Sequence, residues 1–231
     1  MLGLGNSLTG GDILSGFATP ADLPSIAHWW QHDTGLEESD ESAPEDGEDV
    51  TKWTDQIGVE HFVGTSNLPS YTSATGTLNF EANDILTIAS GTSADITLDG
   101  DFAVYARIKF GQTPNVSDVF YSDTDSSNNF LRANSATVLR AKITSGSLNF
   151  TVPTMGTSAF YNIGVERVSG VVHAYLDGTE SSTGGIANTE SWLIDTLKGA
   201  KLDAFSSMII VKGSNLSTSD RAALQTYLAA L

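Results

Sequence analysis

The chain has 231 residues, of which 40% are hydrophobic and 17% charged, with 28 acidic against 11 basic side chains and a formal net charge of −17. That length and composition suit one domain with a sizeable core and exclude a disordered chain, while the acidity disfavours nucleic acid and anionic membranes as partners. Cysteine is absent, which excludes disulfides, thiolate metal sites and a cysteine nucleophile. No run approaches the ~18 apolar residues of a membrane span, and the first residues lack the basic start and compact apolar run of a secretory signal. The sequence reads as a soluble protein.

Residues 1–18 form an extended arm punctuated by glycine, with Leu2, Leu4, Asn6, Leu8, Ile13, Leu14 and Phe17 as its contact residues. The arm is too apolar for a solvated tail and too rich in glycine for a stable helix. Thr19-Pro20 marks a single helical turn, with proline at the first helical position. A core strand follows over residues 25–31. Trp29 and Trp30 are adjacent there, so one ring faces the core and the other lies under a further element or forms a contact surface. Residues 37–49 carry eight carboxylates and no base. Such a block is a solvated, self-repelling loop or a calcium loop built from Asp40, Glu41, Asp46 and Asp49, although it lacks the D-x-D-x-D-G spacing.

The organising stretch runs from Val50 to Leu86: V50-T-K-W-T-D-Q-I-G58, then Pro69-Ser70-Tyr71, T77-L-N-F-E81 and Asp84-Ile85-Leu86. Trp53 is large enough to fill the space between two sheets, and its indole N–H then needs an acceptor. Asp55 is placed to bond backbone amides two residues on and hold the turn to Gly58. Two short strands, one of them carrying Phe80, are expected to return across the same face as Trp53.

Strict alternation predicts a half-buried strand over 102–110, with Phe102, Val104, Ala106, Ile108 and Phe110 inward. Shorter strands follow over 119–122, 130–133, 138–143 and 148–152, separated by polar turns of which D123-T-D-S-S-N-N129 is the most polar. A hairpin crosses Ser169-Gly170 and closes at Asp177-Gly178. Residues 206–212 are apolar on both faces, as in a strand covered on both sides. Ser217 and Asp220 open the one clear helix, 217–230, whose Leu224, Leu228 and Leu231 stripe packs on the outside of the sandwich.

These elements give an all-β, two-sheet antiparallel sandwich over residues 19–231, with a C-terminal helix and an N-terminal arm. The order TPADLP…W, V-x-x-W-x-D-x-x-G, P-x-Y, L-x-F and D-x-L resembles the laminin-G/concanavalin A-like jelly-roll family, in particular its versions in structural proteins of marine tailed bacteriophages. The Y-L-D-G178 hairpin, the L-S-T-S-D-R-A-A-L-Q-T-Y-L228 helix and the opening M-L-G-L-G-N-S7 are similar to the same group. The turn after the tryptophan departs from it: Asp55-Gln56-Ile57-Gly58-Val59 stands where D-x-S-G-N is common.

The resemblance implies a jelly roll displayed on a virion surface as a capsid decoration protein and tethered by its arm to the major capsid protein, another virion component or a second copy in a homo-oligomer. The alternative is a lectin-like module that binds cell-surface glycan, as a tail fibre or adhesin, with Trp192 and Tyr121 as the rings that stack on sugar. No catalytic residues are assigned. Glucanases of this fold carry E-x-D-x-x-E on one strand, whereas Glu38-Ser39-Asp40 sits in the acidic loop and cannot fix two carboxylates at the ~5 to 9 Å that glycoside hydrolysis needs. His28, His32, His61 and His173 suggest no metal site, and no G-x-S-x-G elbow is present. Trp53, Asp55, Gly58 and Phe80 are read as structural, and no cofactor is expected apart from the calcium considered for the acidic loop.

Overall fold

The computed structural model describes residues 17–231 apart from 82, 89–94, 117, 125, 126, 200 and 201. The arm contacts expected at Leu2, Leu4, Asn6, Leu8, Ile13 and Leu14 lie outside the described residues. Two antiparallel sheets make the body. The first runs in the order Thr179–Glu180, Val171–Leu176, Phe160–Val168, Phe102–Phe110, Leu202–Lys212, Thr77–Phe80 and Ser70–Thr72. Ile26–Trp30 also pairs with Leu202–Lys212. The second runs Gly146–Thr151, Val138–Ile143, Phe130–Ser135, Val119–Ser122, Thr196–Gly199, Asp84–Ile88, Phe62–Val63, Lys52–Trp53 and Leu36–Glu37. A separate pair, Ile96–Leu98 with Trp192–Ile194, also contributes to the core.

One apolar core joins the two sheets: Val104, Ile108 and Phe205 from the first meet Leu86, Phe120 and Leu139 from the second, all fully buried. Period-2 alternation therefore places one face of each sheet against the other, as in a β-sandwich. The Trp53 indole lies in this core, edge-on to Phe205, and its N–H donates to the Gln31 carbonyl at 3.1 Å. Thr77–Phe80 does not return across the same sheet as Trp53. It belongs to the opposite sheet, while Asp84–Ile88 lies in the sheet of Lys52–Trp53. Thr77–Phe80 and Asp84–Ile88 thus belong to different layers, and Phe80 and Leu86 enter one core from its two sides.

Asp55 anchors the crossing of the first strand with this stretch. Its carboxylate accepts from the amides of Trp29 (2.9 Å) and Ile57 (3.0 Å) and meets His28 Nδ1 at 2.7 Å. A Cβ on Gly58 would come within 2.5 Å of the same carboxylate, so a side chain there would displace it. Burial alone would raise the Asp55 carboxyl, but the bonds from His28, Trp29, Ile57 and Gly58 outweigh it and hold the group below its ordinary value. Asp55→Asn is expected to cost about 2 kcal/mol at pH 7. The wild-type advantage exists above the unfolded carboxyl's pKa and is lost as pH falls through the lower folded value. Chemical denaturation should therefore show the deficit shrinking below about pH 4; a deficit equal at pH 3 and pH 7 would contradict this role.

A second apolar cluster lies outside the first sheet. The helix Thr218–Ala229, capped by Ser217 Oγ accepting from the Asp220 amide, buries Leu224 and Leu228 against Trp29, Ala103, Tyr105 and Ile209. Trp30 faces the central core and Trp29 this outer one, so both tryptophans are covered. The helix also changes the expectation for Phe102–Phe110: Ala103 and Tyr105 on its outer face are buried, and only the far half of the strand alternates. The Tyr105 ring lies over Gly164, where a Cβ would meet it at 2.1 Å.

Tyr105 also donates its hydroxyl to Glu166 Oε1 at 2.5 Å, and Arg221 on the helix clasps both oxygens of Glu166 at 2.7 and 2.6 Å. Its guanidinium lies 4.6 Å over the Tyr175 ring. One buried carboxylate thereby fastens the helix to the sheet. No helix among the described residues is long and apolar enough to cross a membrane.

Candidate functional site

The structure overturns the sugar-stacking assignment of Trp192 and Tyr121. Both rings are fully buried, 5.6 Å apart, and Trp192 also packs 5.5 Å from Phe102. The polar residues around Trp192 suggest a loop in sequence. In the fold, pairing of Trp192–Ile194 with Ile96–Leu98 turns the indole inward to close one end of the core.

The calcium loop proposed from composition fares no better. Asp40, Glu41, Asp46 and Asp49 are all exposed. Asp40 caps the Ser42 amide at 3.0 Å, and Asp46 accepts from the Ser73 amide and hydroxyl at 2.8 and 2.9 Å. Among the described residues these four do not form a convergent ligand group. The block behaves as a solvated loop tied down by local hydrogen bonds.

The histidines serve the fold. His28 bonds Asp55 and stacks 5.6 Å from Trp30, His61 Nδ1 accepts from the Asp55 amide at 3.1 Å, and His173 meets Glu180 at 2.7 Å. His32 Nδ1 is 2.8 Å from Ser206 Oγ, and burial lowers its pKa. Ser206 is itself buried, and no carboxylate among the described residues hydrogen-bonds the other nitrogen of His32, so the pair lacks the orienting group of a nucleophile–base set.

Three carboxylates converge elsewhere. Oxygens of Asp95, Asp123 and Asp195 all lie within 4.8 Å of one another, and Asp123 and Asp195 are 5% exposed. Asp123 follows the Val119–Ser122 strand, where its amide donates to the Asn129 carbonyl (3.1 Å) and its Oδ2 accepts from Asn129 Nδ2 (3.1 Å). Asp195 lies between Trp192–Ile194 and Thr196–Gly199. Its amide donates to the Ser122 carbonyl (3.0 Å) and its own carbonyl accepts from the Ile88 amide (2.7 Å), so its backbone is gripped from both sides. Asp195 Oδ1 accepts from the Thr124 amide (2.7 Å) and hydroxyl (3.1 Å) and from Thr196 Oγ1 (2.5 Å). These bonds, all to Oδ1, orient the carboxylate, and none among the described residues uses Oδ2.

Ser122 adds a second feature. It is 7% exposed, and its hydroxyl has no hydrogen-bond partner among the described residues. It stands directly opposite Thr196 across the strand pair, and opposed residues share a face, the face from which the Thr196 hydroxyl reaches Asp195. Three carboxylate oxygens gathered at strand ends are the donors a hard cation takes. A calcium ion with ligands at 2.3–2.6 Å separates opposite donors by about 5 Å.

The three aspartates are spread over 101 positions, with no motif spacing to join them. The one sequence signal is the polar D123-T-D-S-S-N-N129 turn, which taken alone looks like any other turn.

No protein-family model matches the sequence, and no curated protein matches it either. Solved structures do show likeness of fold. Trypanosoma rangeli sialidase superposes with a TM-score of 0.57 at 11% identity, covering 92% of this chain and 36% of that one, so the chain spans about a third of the sialidase it matches. Domain 4 of AbnA, a GH43 extracellular arabinanase from Geobacillus stearothermophilus in complex with arabinotriose, gives 0.53 at 12% identity over 87% of this chain and 98% of that domain. At such identities the likeness concerns the fold alone.

Proposed function

We propose that this chain is a non-enzymatic carbohydrate-recognition module, a lectin-like jelly roll whose binding surface is braced by a divalent cation held by Asp95, Asp123 and Asp195. The observation that carries the reading is the convergence of those three carboxylates beside the buried Ser122 hydroxyl at one end of the sandwich. A cation there would fix the loops that meet at that end, and fixed loops present sugar-binding groups at lower entropic cost. The arabinanase domain described with arabinotriose supports it, since nearly its whole length shares this fold. The non-enzymatic part of the reading is supported by the position of Glu38-Ser39-Asp40, which lies in the acidic loop after the short Leu36–Glu37 strand rather than on a strand that would fix two carboxylates.

A second reading, a structural part of a bacteriophage virion assembled through residues 1–18, is favoured by Phe17. That ring packs edge-on to Tyr227 at 6.4 Å, beside Ala222 and Ala223 of the helix and Ala230 at its cap. A glycan array probed with the full chain in calcium and again in chelator separates the two. Calcium-dependent signal on a restricted glycan set is the expected result. Silence across the array in calcium would overturn recognition and leave the structural part.

A further inference from the structure

The charge of this chain is distributed unevenly, and the exception lies on the second sheet. Strands Phe130–Ser135, Val138–Ile143 and Gly146–Thr151 contain no aspartate or glutamate, in a chain with 28 of them. Their inward residues, such as Leu131, Ala141 and Phe150, are fully buried. Their outward residues therefore form a continuous platform. Arg132 stands opposite Arg140, which stands opposite Asn149; in the neighbouring row Phe130 stands opposite Lys142, and Lys142 opposite Ser147. Ser122 stands opposite Phe130 as well as Thr196, so the platform continues to the aspartate cluster.

Three cations share this small area, and among the described residues none of them makes an ion pair. Arg132 lies 4.9 Å over the Phe130 ring, its Nη2 reaches Asn134 at 3.4 Å, and its buried Nε has no hydrogen-bond partner among the described residues. Arg140 Nε donates to Asn149 Oδ1 at 2.7 Å, leaving its terminal nitrogens outward. Burial and the neighbouring Arg140 charge both lower the Arg132 pKa. Like charges directly opposed across strands destabilise a sheet, so the arrangement costs stability unless an anion bridges the pair. Guanidinium groups recognise planar oxyanions through paired N–H donors.

We infer that the Phe130–Arg132–Arg140–Lys142 face binds an anionic glycan, its carboxylate or sulfate groups on the two arginines and its sugar ring against the Phe130 and Asn149 surroundings. The inference rests on the carbohydrate-recognition reading and names its ligand class. A nucleic acid fits less well. Duplex DNA carries a charge every ~1.7 Å, whereas three cations on a body of net charge −17 match a polymer of sparse charge with neutral hydroxyls between. At physiological salt the long-range repulsion is screened beyond ~8 Å, and contact at the face decides.

The test is calorimetric titration of the full chain at physiological salt with polygalacturonate, a sulfated galactan, neutral arabinan, polyglutamate and a DNA duplex. Wild type is compared with Arg132→Gln/Arg140→Gln and with the charge-matched control Lys109→Gln/Lys212→Gln, whose two cations lie on the other sheet. Arg140→Gln alone, at an exposed contact, covers the case of a double variant that does not fold. Expected is binding of one or both acidic glycans, weakened about tenfold or more by the arginine changes and unchanged in the control; the two glycans tell carboxylate from sulfate. Equal binding by wild type and arginine variants, or equal binding of polyglutamate or DNA, overturns the inference. Binding of arabinan alone overturns it and leaves carbohydrate recognition standing, and no binding of any glycan removes both.

Discussion

Arg221→Ala is expected to destabilise the fold by about 3–5 kcal/mol, the range for leaving a buried charge without its partner. Glu166 is fully buried, and both its oxygens are held by the Arg221 guanidinium, with Tyr105 bonding one of them. Truncation removes the countercharge, loses the stacking on Tyr175, and releases the helix that covers Trp29, Tyr105 and Ile209. For a domain of this size the midpoint of thermal unfolding should fall by roughly 10 °C or more. The double change Glu166→Gln/Arg221→Met should recover most of the loss, because glutamine still accepts from Tyr105 and no charge is left buried. If the single variant melts within about 2 °C of wild type, the helix is held by its apolar stripe alone.

That network also shows where sequence reading stops. Ser217, Asp220 and the leucine stripe announce the helix, and period-2 alternation announces most of the strands, because both signals sit within a few neighbouring residues. Trp53 and Asp55 were legible for the same reason: the Asp55 bond to the Ile57 amide is a two-residue contact. Glu166 and Arg221 are 55 positions apart and meet only after the helix has docked, so neither stands out alone. The same holds for Asp95, Asp123 and Asp195. Trp192 failed in the opposite direction. Its polar neighbours suggested exposure, but a two-residue-period strand puts a single ring in the core whatever its neighbours are. The platform of Arg132, Arg140 and Lys142 was visible as alternation in F-L-R and V-L-R-A-K-I, but its meaning depends on cross-strand register, which local pattern does not fix.

Calcium is expected to raise the stability of the chain markedly. The oxygens of Asp95, Asp123 and Asp195 gather within 4.8 Å of one another only in the folded chain, so an ion held by all three binds the folded state alone. A ligand that binds only the folded state adds about 2.7 kcal/mol at a hundredfold excess over its dissociation constant, roughly 5–10 °C in melting temperature here. Magnesium should shift it less, because it gives up water reluctantly and demands a tighter octahedron. Asp195→Asn should abolish the calcium shift yet melt close to wild type in chelator, since its amide oxygen keeps the Thr124 and Thr196 bonds. That combination separates a ligand from a merely structural side chain, whose loss would lower stability in both media. Absence of any shift up to about 10 mM calcium, beyond the affinity range of extracellular calcium modules, would show that the aspartates are not a calcium site.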